Sequence, residues 1–401
     1  MIKKMFTTAI IVGLVGIYFV PESIAAEKLT RKQRKEIALL DKAKINFDGQ
    51  QYDMAIEYYT RAIEINAENP ESYSKRGNAR FLNGNYKDAV IDYTKAIELD
   101  PKRENLYYNR GIAKANLHLY EDVVDDYTKE LELNPVNVNA YLNRGSTQVI
   151  MKRYDEAIKD FSIAIGLDSK NEIAYYNRGI AKRNKGDYKG AIEDYTKVIE
   201  LDSTNVDAYN NRGVAKYYLK DYVGAIADYS KVLELDNFFK QAYYNRGIAK
   251  LGLQKYEEAI VDFNKELELN PRSDLAYYEI GIAESRLDHF TSAIDSFTKA
   301  IEINPNNAEY YAQRGALISR SDGDLQKAKE DLIKAIDIDK SDAEKYLTRA
   351  IIFCKLNMYL PAIDDLNVVI KLDEKNTQAY DLRSYAISSM NSEAEKAKAD
   401  K

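Results

Sequence analysis

The sequence predicts an all-α chain: a stack of about ten helical hairpins closed by one further helix. Glycine recurs at Gly77, Gly111, Gly145, Gly179, Gly213, Gly247, Gly281 and Gly315, always 34 residues apart. The octapeptide Tyr-Tyr-Asn-Arg-Gly-Ile-Ala-Lys is written from Tyr107, Tyr175 and Tyr243, at twice that spacing. Within one period, residues 104–117 and 120–133 each carry apolar side chains at three- and four-residue spacing, the mark of an amphipathic helix. A fixed period of this length is the signature of stacked supersecondary units that bury their apolar faces against their neighbours.

Each part of the hairpin follows from a recurring residue type. Twelve residues after each glycine comes a small or short apolar residue: Ala89, Val123, Ala157, Ala191, Ala225, Ala259, Ala293 and, after one inserted residue near 321–324, Ala328. Four residues further on stands a ring, at Tyr93, Tyr127, Phe161, Tyr195, Tyr229, Phe263 and Phe297, giving way to Leu332 and Leu366. Both series demand close packing. A helical glycine costs about 1 kcal/mol against alanine, so a close helix–helix approach must compensate for it. Pro101, Pro135, Pro271 and Pro305 close the second helix, because proline lacks an amide hydrogen and turns the preceding residue away from helical angles.

The pattern, with an aromatic at the fourth place, Gly at the eighth, Ala at the twentieth, an aromatic at the twenty-fourth and often Pro at the thirty-second, resembles the tetratricopeptide repeat family. The resemblance runs from Glu36 to the C-terminus and implies a right-handed superhelical solenoid. Ten repeats are expected over 36–376, starting at Glu36, Pro70, Glu104, Val138, Glu172, Val206, Lys240, Asp274, Ala308 and Ala343. A capping helix is expected over 377–391, since a terminal repeat without a neighbour leaves its apolar face in water. A charged tail follows over 392–401.

The chain departs from the family pattern at three places. Ala43 and Ala350 replace glycine in the terminal repeats, tyrosine holds the fourth place almost throughout, and arginine holds the seventh, where leucine is usual. Arg76, Arg110, Arg144, Arg178, Arg212, Arg246, Arg314 and Arg349 are matched by Asp92, Asp126, Asp160, Asp194, Asp228, Asp262, Asp331 and Asp365 on the second helix. In the eighth repeat both charges vanish together, as Ile280 and Ser296; in the first the places hold Lys42 and Tyr58. This covariation within one chain points to a partly buried Arg–Asp pair bridging each hairpin, with a structural role.

The remaining composition narrows the function. A net charge of -6 gives no overall attraction to nucleic acid, which binds through clustered Lys and Arg. Cys354 stands alone, so no internal disulfide forms, and on its apolar stretch it reads as a small buried thiol. His118 and His289 lie in turns of distant repeats, and neither a metal-ligand motif nor a glycine-rich phosphate loop is present. No catalytic residue, metal or cofactor is expected, and a hydrolase is the least favoured reading. Lys3 and Lys4, the apolar run 5–20 and Ser23-Ile24-Ala25-Ala26 read as a signal peptide over 1–26, cut after Ala25 or Ala26. An uncleaved membrane anchor is the alternative. A basic lead-in over 27–35, with Lys28, Arg31, Lys32, Arg34 and Lys35, argues against export. The chain is therefore expected in the periplasm or secreted, or else membrane-anchored.

Helical geometry places one stripe of the first helix opposite the core, on the inner face of the solenoid. Asn109, Asn143, Asn177, Asn211 and Asn245 occupy its sixth place in five consecutive repeats, with Tyr108, Tyr176, Tyr244 and Tyr278 beside them and Ile112, Ile180, Ile248 and Ile282 at the ninth. An asparagine amide donates and accepts, so this ladder suits the main chain of an extended peptide; the alternative is that each amide bonds a neighbouring helix and sets the twist. The carboxylate-clamp pattern of chaperone-binding family members is absent, because Ser74 stands where lysine is required. The expectation is a non-enzymatic scaffold that holds protein or peptide partners in a concave groove, with a holdase-like chaperone for unfolded exported proteins as the alternative.

Overall fold

The computed structural model describes residues 29–321 and 323–399. The expected signal over 1–26 lies outside them. Among the described residues the chain forms twenty-one helices and no strand. They pair as a helix A and a helix B in each repeat: Arg31–Asp48 with Tyr52–Ile65, Pro70–Leu82 with Tyr86–Leu99, Leu106–Asn116 with Tyr120–Leu133, Val138–Ile150 with Tyr154–Leu167, and Glu172–Lys185 with Tyr188–Leu201. Repeats six to ten pair Val206–Tyr218 with Tyr222–Leu235, Ala242–Gly252 with Tyr256–Leu269, Asp274–Arg286 with Phe290–Ile303, Ala308–Arg320 with Leu325–Ile338, and Ala343–Lys355 with Tyr359–Leu372. A last helix, Thr377–Ala399, follows.

The chain divides into two compact units, one up to Ala215 and one from Lys216. In the first unit, Tyr93, Tyr127, Phe161 and Tyr195 from successive B helices share one apolar cluster with Ala113, Ala140 and Ala181 of the A helices. The second unit packs in smaller clusters, around Phe263, around Phe297, around Leu332 and around Leu366.

The 34-residue glycine period has a steric cause. A Cβ on Gly179 would lie 2.7 Å from the Tyr195 ring, and one on Gly145 would lie 2.8 Å from Phe161. Helix A approaches helix B until ring and backbone touch, and only hydrogen fits between them.

The first helix begins at Arg31, five residues before the expected repeat start. Thr30 caps it by accepting from the Gln33 amide while the Gln33 side chain accepts from Thr30, a reciprocal capping box. The last helix runs eight residues past the expected end at 391 and takes in most of the expected tail, because Ala, Glu and Lys are strong helix formers.

Outside repeat nine, each A-to-B turn passes one residue through the left-handed region. Gly84 and Gly186 do so without steric cost, but Gln50, His118, Lys152, Lys220, Gln254, Asp288 and Asn357 do so as well. Both histidines are thereby turn residues: His118 holds a φ of 60° and His289 precedes helix B of repeat eight. Repeat nine differs. Asp324 caps its helix B, accepting from the amides of Gln326 and Lys327.

In repeats three and seven helix A starts late, after Asn105 and Gln241 at φ 64° and 72°. In those same two repeats a buried glutamate, Glu130 or Glu266, replaces the small B-helix residue found elsewhere, such as Ala164 or Val198. Glu130 is fully buried and its Oε1 accepts from the Asn137 side-chain amide at 2.9 Å, while its Oε2 has no hydrogen-bond partner among the described residues.

Gly179→Ala should lower the unfolding free energy by about 1–3 kcal/mol in chemical denaturation, as expected for overpacking a fixed contact. An unchanged midpoint would show that helix A can retreat from Tyr195 at no cost.

Candidate functional site

The repeated charges form the expected pairs. In repeats two, three, four, five, seven, nine and ten the arginine approaches its aspartate at 2.6–2.7 Å, and a second N–H of the same guanidinium also donates to that carboxylate. The aspartates are 1–7% exposed and the arginines 11–19%, so both charges are largely withdrawn from water. The hydrogen bond to Asp262 raises the Arg246 pKa despite its burial.

Three further members of this network are not among the sequence expectations. The outer guanidinium nitrogen donates to a hydroxyl on helix B of the preceding repeat: Arg76 to Thr60, Arg110 to Thr94, Arg144 to Thr128, Arg178 to Ser162, Arg212 to Thr196, Arg246 to Ser230 and Arg314 to Thr298, at 2.9–3.1 Å. One turn after the arginine, a second cation reaches the same carboxylate: Arg80 on Asp92, Lys114 on Asp126, Lys182 on Asp194 and Lys250 on Asp262, at 2.8–2.9 Å. The fourth-place tyrosines lie under the guanidinium, with Arg178 5.6 Å from the Tyr175 ring centre. Arginine stands at the seventh place because only a planar guanidinium supplies these donors and a stacking face together.

Repeat eight exchanges the whole set. Ile280 replaces the arginine, Glu284 the lysine and Ser296 the aspartate, and Ser296 donates to Glu284 at 2.8 Å.

Part of the asparagine ladder takes the second arrangement, in which an amide bonds a neighbouring helix. Asn177 and Asn211 are buried, at 6% and 1% exposure, and Asn109, Asn143 and Asn245 are half-buried. Asn143 donates to the Tyr108 hydroxyl at 3.1 Å and Asn211 to the Tyr176 hydroxyl at 2.9 Å, each reaching the A helix of the preceding repeat. Asn211 also accepts from Arg183 at 2.6 Å, and Asn109 donates to Asn78 at 3.5 Å. Burial pushes the Tyr108 phenol up to about 12, offset by the Asn143 bond. These amides tie neighbouring repeats. Tyr108, Ile112 and Ile180 are buried with them, whereas Tyr176, Tyr244, Tyr278, Ile248 and Ile282 keep part of their surface open.

In the second unit the sixth place of repeat eight carries Glu279 in place of asparagine. Tyr244 donates to it at 3.5 Å, and burial pushes its carboxyl up to about 7, offset by that hydrogen bond. Cys354 is buried and free, and its thiol is raised by that burial. Among the described residues no group of three His, Cys, Asp or Glu side chains could hold a metal ion, and no helix is long and apolar enough to cross a membrane.

Family models described as TPR repeat match residues 43–84, 77–117 and 180–220, and models described as tetratricopeptide repeat match 138–171, 206–239, 241–273, 275–307 and 296–330, together more than half of the chain. The chain belongs to the tetratricopeptide repeat family. Comparison of this tetratricopeptide repeat protein with curated proteins yields no match. Among solved structures it is similar to YrrB, described as a tetratricopeptide repeat protein with an unusual peptide-binding site, at 23% identity over 48% of this chain and 99% of that one, with a TM-score of 0.42. A tetratricopeptide repeat protein from Parabacteroides merdae is 22% identical over 62% and 99%, with a TM-score of 0.46, and yeast Tom70 is 22% identical over 90% and 89%, with a TM-score of 0.41. The repeat fold is that of a protein–protein interaction scaffold, and no enzymatic family matches.

In the tetratricopeptide network Asp160 has Arg144 as its one ion-pair partner among the described residues, since Gln148 stands where Lys182 serves Asp194. Arg144→Met should therefore lower the unfolding free energy by about 3–5 kcal/mol, the range for an orphaned buried charge, and by more than Arg178→Met. Equal losses would show that the second cation does not support the carboxylate.

Proposed function

We propose that this chain is a non-enzymatic scaffold that holds an extended protein segment along the A-helix face, in the cell envelope. The observation that carries the reading is the division of labour between the two kinds of conserved-spacing residue on that face. The amides bond neighbouring repeats, while in the second unit Tyr244 and Tyr278 with Ile248 and Ile282 remain half-open. Tyrosine offers large contact area at low conformational cost together with a hydroxyl for a peptide group. The aromatic shelf, rather than the amide ladder, is then the surface that meets a partner.

A peptide array probed with the full chain tests this. One preferred class of segment supports a scaffold, a broad weak apolar preference supports a holdase, and no retention on any peptide dismisses both. Tyr278→Ala should weaken capture about tenfold, the scale of one interface anchor. Asn211→Ala should leave capture in place and lower stability by about 1–2 kcal/mol through the orphaned Tyr176 hydroxyl. The reverse pattern would return the binding role to the amides.

Export is the second part of the proposal, supported by the basic pair Lys3 and Lys4, the apolar run 5–20 and the small residues before Glu27. Mass spectrometry of the protein from the cell that makes it should find a chain beginning at Ala26 or Glu27. An intact Met1 in a membrane fraction would favour the anchor, and in a soluble cytoplasmic fraction would remove the envelope from the proposal.

A further inference from the structure

Glu279 is a carboxylate placed among phenols. Among the described residues its one hydrogen-bond donor is Tyr244, at the long distance of 3.5 Å. Its charge acts on Tyr217 and Tyr278 as well, adding to burial and to Tyr222 in the first case and to burial and Glu309 in the second. Tyr278 packs its ring 5.1 Å from Tyr310, which is fully buried and forms the floor. Ile248 joins the apolar cluster of Tyr244, and Ile282 that of Tyr278. All of these residues belong to the second unit.

Nearby carboxylates are better supplied. Asp274 accepts from Tyr310 at 2.9 Å and from Asn304 at 2.9 Å, and Glu309 accepts from Gln313 at 2.7 Å. Each network aspartate has a bidentate arginine. Glu279 has a weak neutral donor, and its raised pKa contains no contribution from a cation. An ionised carboxylate in such a place is unfavourable until a positive group arrives. Aromatic faces around a carboxylate are also the surroundings that attract an ammonium or guanidinium, through the ring quadrupole and a charge-assisted hydrogen bond. An acidic side chain would meet repulsion from Glu279 and Glu309, and a neutral one would bury the carboxylate further without relief.

We propose that Glu279, walled by Tyr244 and Tyr278 with Glu309 beside them, receives a lysine or arginine side chain of the polypeptide segment held on the A-helix face. This assignment rests on the scaffold reading above and names the chemistry of its partner: a basic segment.

The test uses the full chain and three fluorescent peptides of one Ala/Ser framework that carry two arginines, two glutamines or two glutamates at the same places, read by polarisation at pH 8. The arginine peptide should bind at least about tenfold tighter than the glutamine peptide, and the glutamate peptide should bind most weakly. Glu279→Gln should erase the arginine preference and leave the glutamine peptide unaffected. The variant should melt no lower than the parent at pH 8: a folded-state pKa of about 7 against an ordinary 4.5 means that ionisation costs stability progressively between those values, and the substitution removes that cost. Loss of binding therefore cannot be a folding defect. Glu200→Gln, at an exposed glutamate paired with Lys197 on a B helix, should keep the preference. If arginine and glutamine peptides bind the parent equally, the basic-partner assignment falls while the scaffold reading stands. If the preference survives Glu279→Gln, the assignment to this residue falls. If none of the three binds, both fall.

Discussion

In six repeats a guanidinium is held by groups from three helices: it stands on helix A, clasps a buried aspartate on helix B of its own hairpin, and donates to a hydroxyl on helix B of the hairpin before. Those three attachments set hairpin geometry and stacking geometry with one side chain. Where the twenty-fourth place is a ring, the glycine one residue after the arginine lets helix A lie against that ring, close to the helix that carries the aspartate. Deleting a single partner leaves a buried charge without its complement, which explains why the arginine and the aspartate are retained or exchanged together.

Repeat eight shows the exchange. Ile280, Glu284 and Ser296 replace arginine, lysine and aspartate, and the hydroxyl of Ser296 serves the glutamate. Its sixth place changes as well, from amide to carboxylate at Glu279. The same helix that dispenses with the charged tie thus presents an under-supplied acid on its other face. The chemistry of the A-helix face changes from amides bonding phenols at Asn143 and Asn211 to a carboxylate at Glu279 beside Tyr244.

Much of this was legible in the residues. The 34-residue glycine period predicts the hairpins because a ring packed against one backbone position excludes a side chain there, and the joint loss of Arg and Asp in repeat eight predicts the pair. The hydroxyls were equally visible and went unread: Thr60, Thr94, Thr128, Ser162, Thr196, Ser230 and Thr298 also recur at the period, and Asn264 breaks the series one repeat before Ile280. Direction was the harder matter. Residue spacing places Asn143 and Asn211 on the A-helix face, but whether a side chain at its edge meets solvent or the next helix depends on the angle between repeats, which no local pattern encodes. The late helix starts after Asn105 and Gln241 were hidden for a related reason, since only tertiary packing buries Glu130 and Glu266.

The claim that one arginine joins adjacent hairpins is tested most directly by a double-mutant cycle between Arg178→Met and Ser162→Ala, measured by chemical denaturation. These residues lie on different repeats and meet at 3.0 Å. The account predicts a coupling of about 1 kcal/mol or more, the value of a charge-assisted hydrogen bond between partly buried groups. Additive losses would contradict it, and the arginine would then serve only its own hairpin.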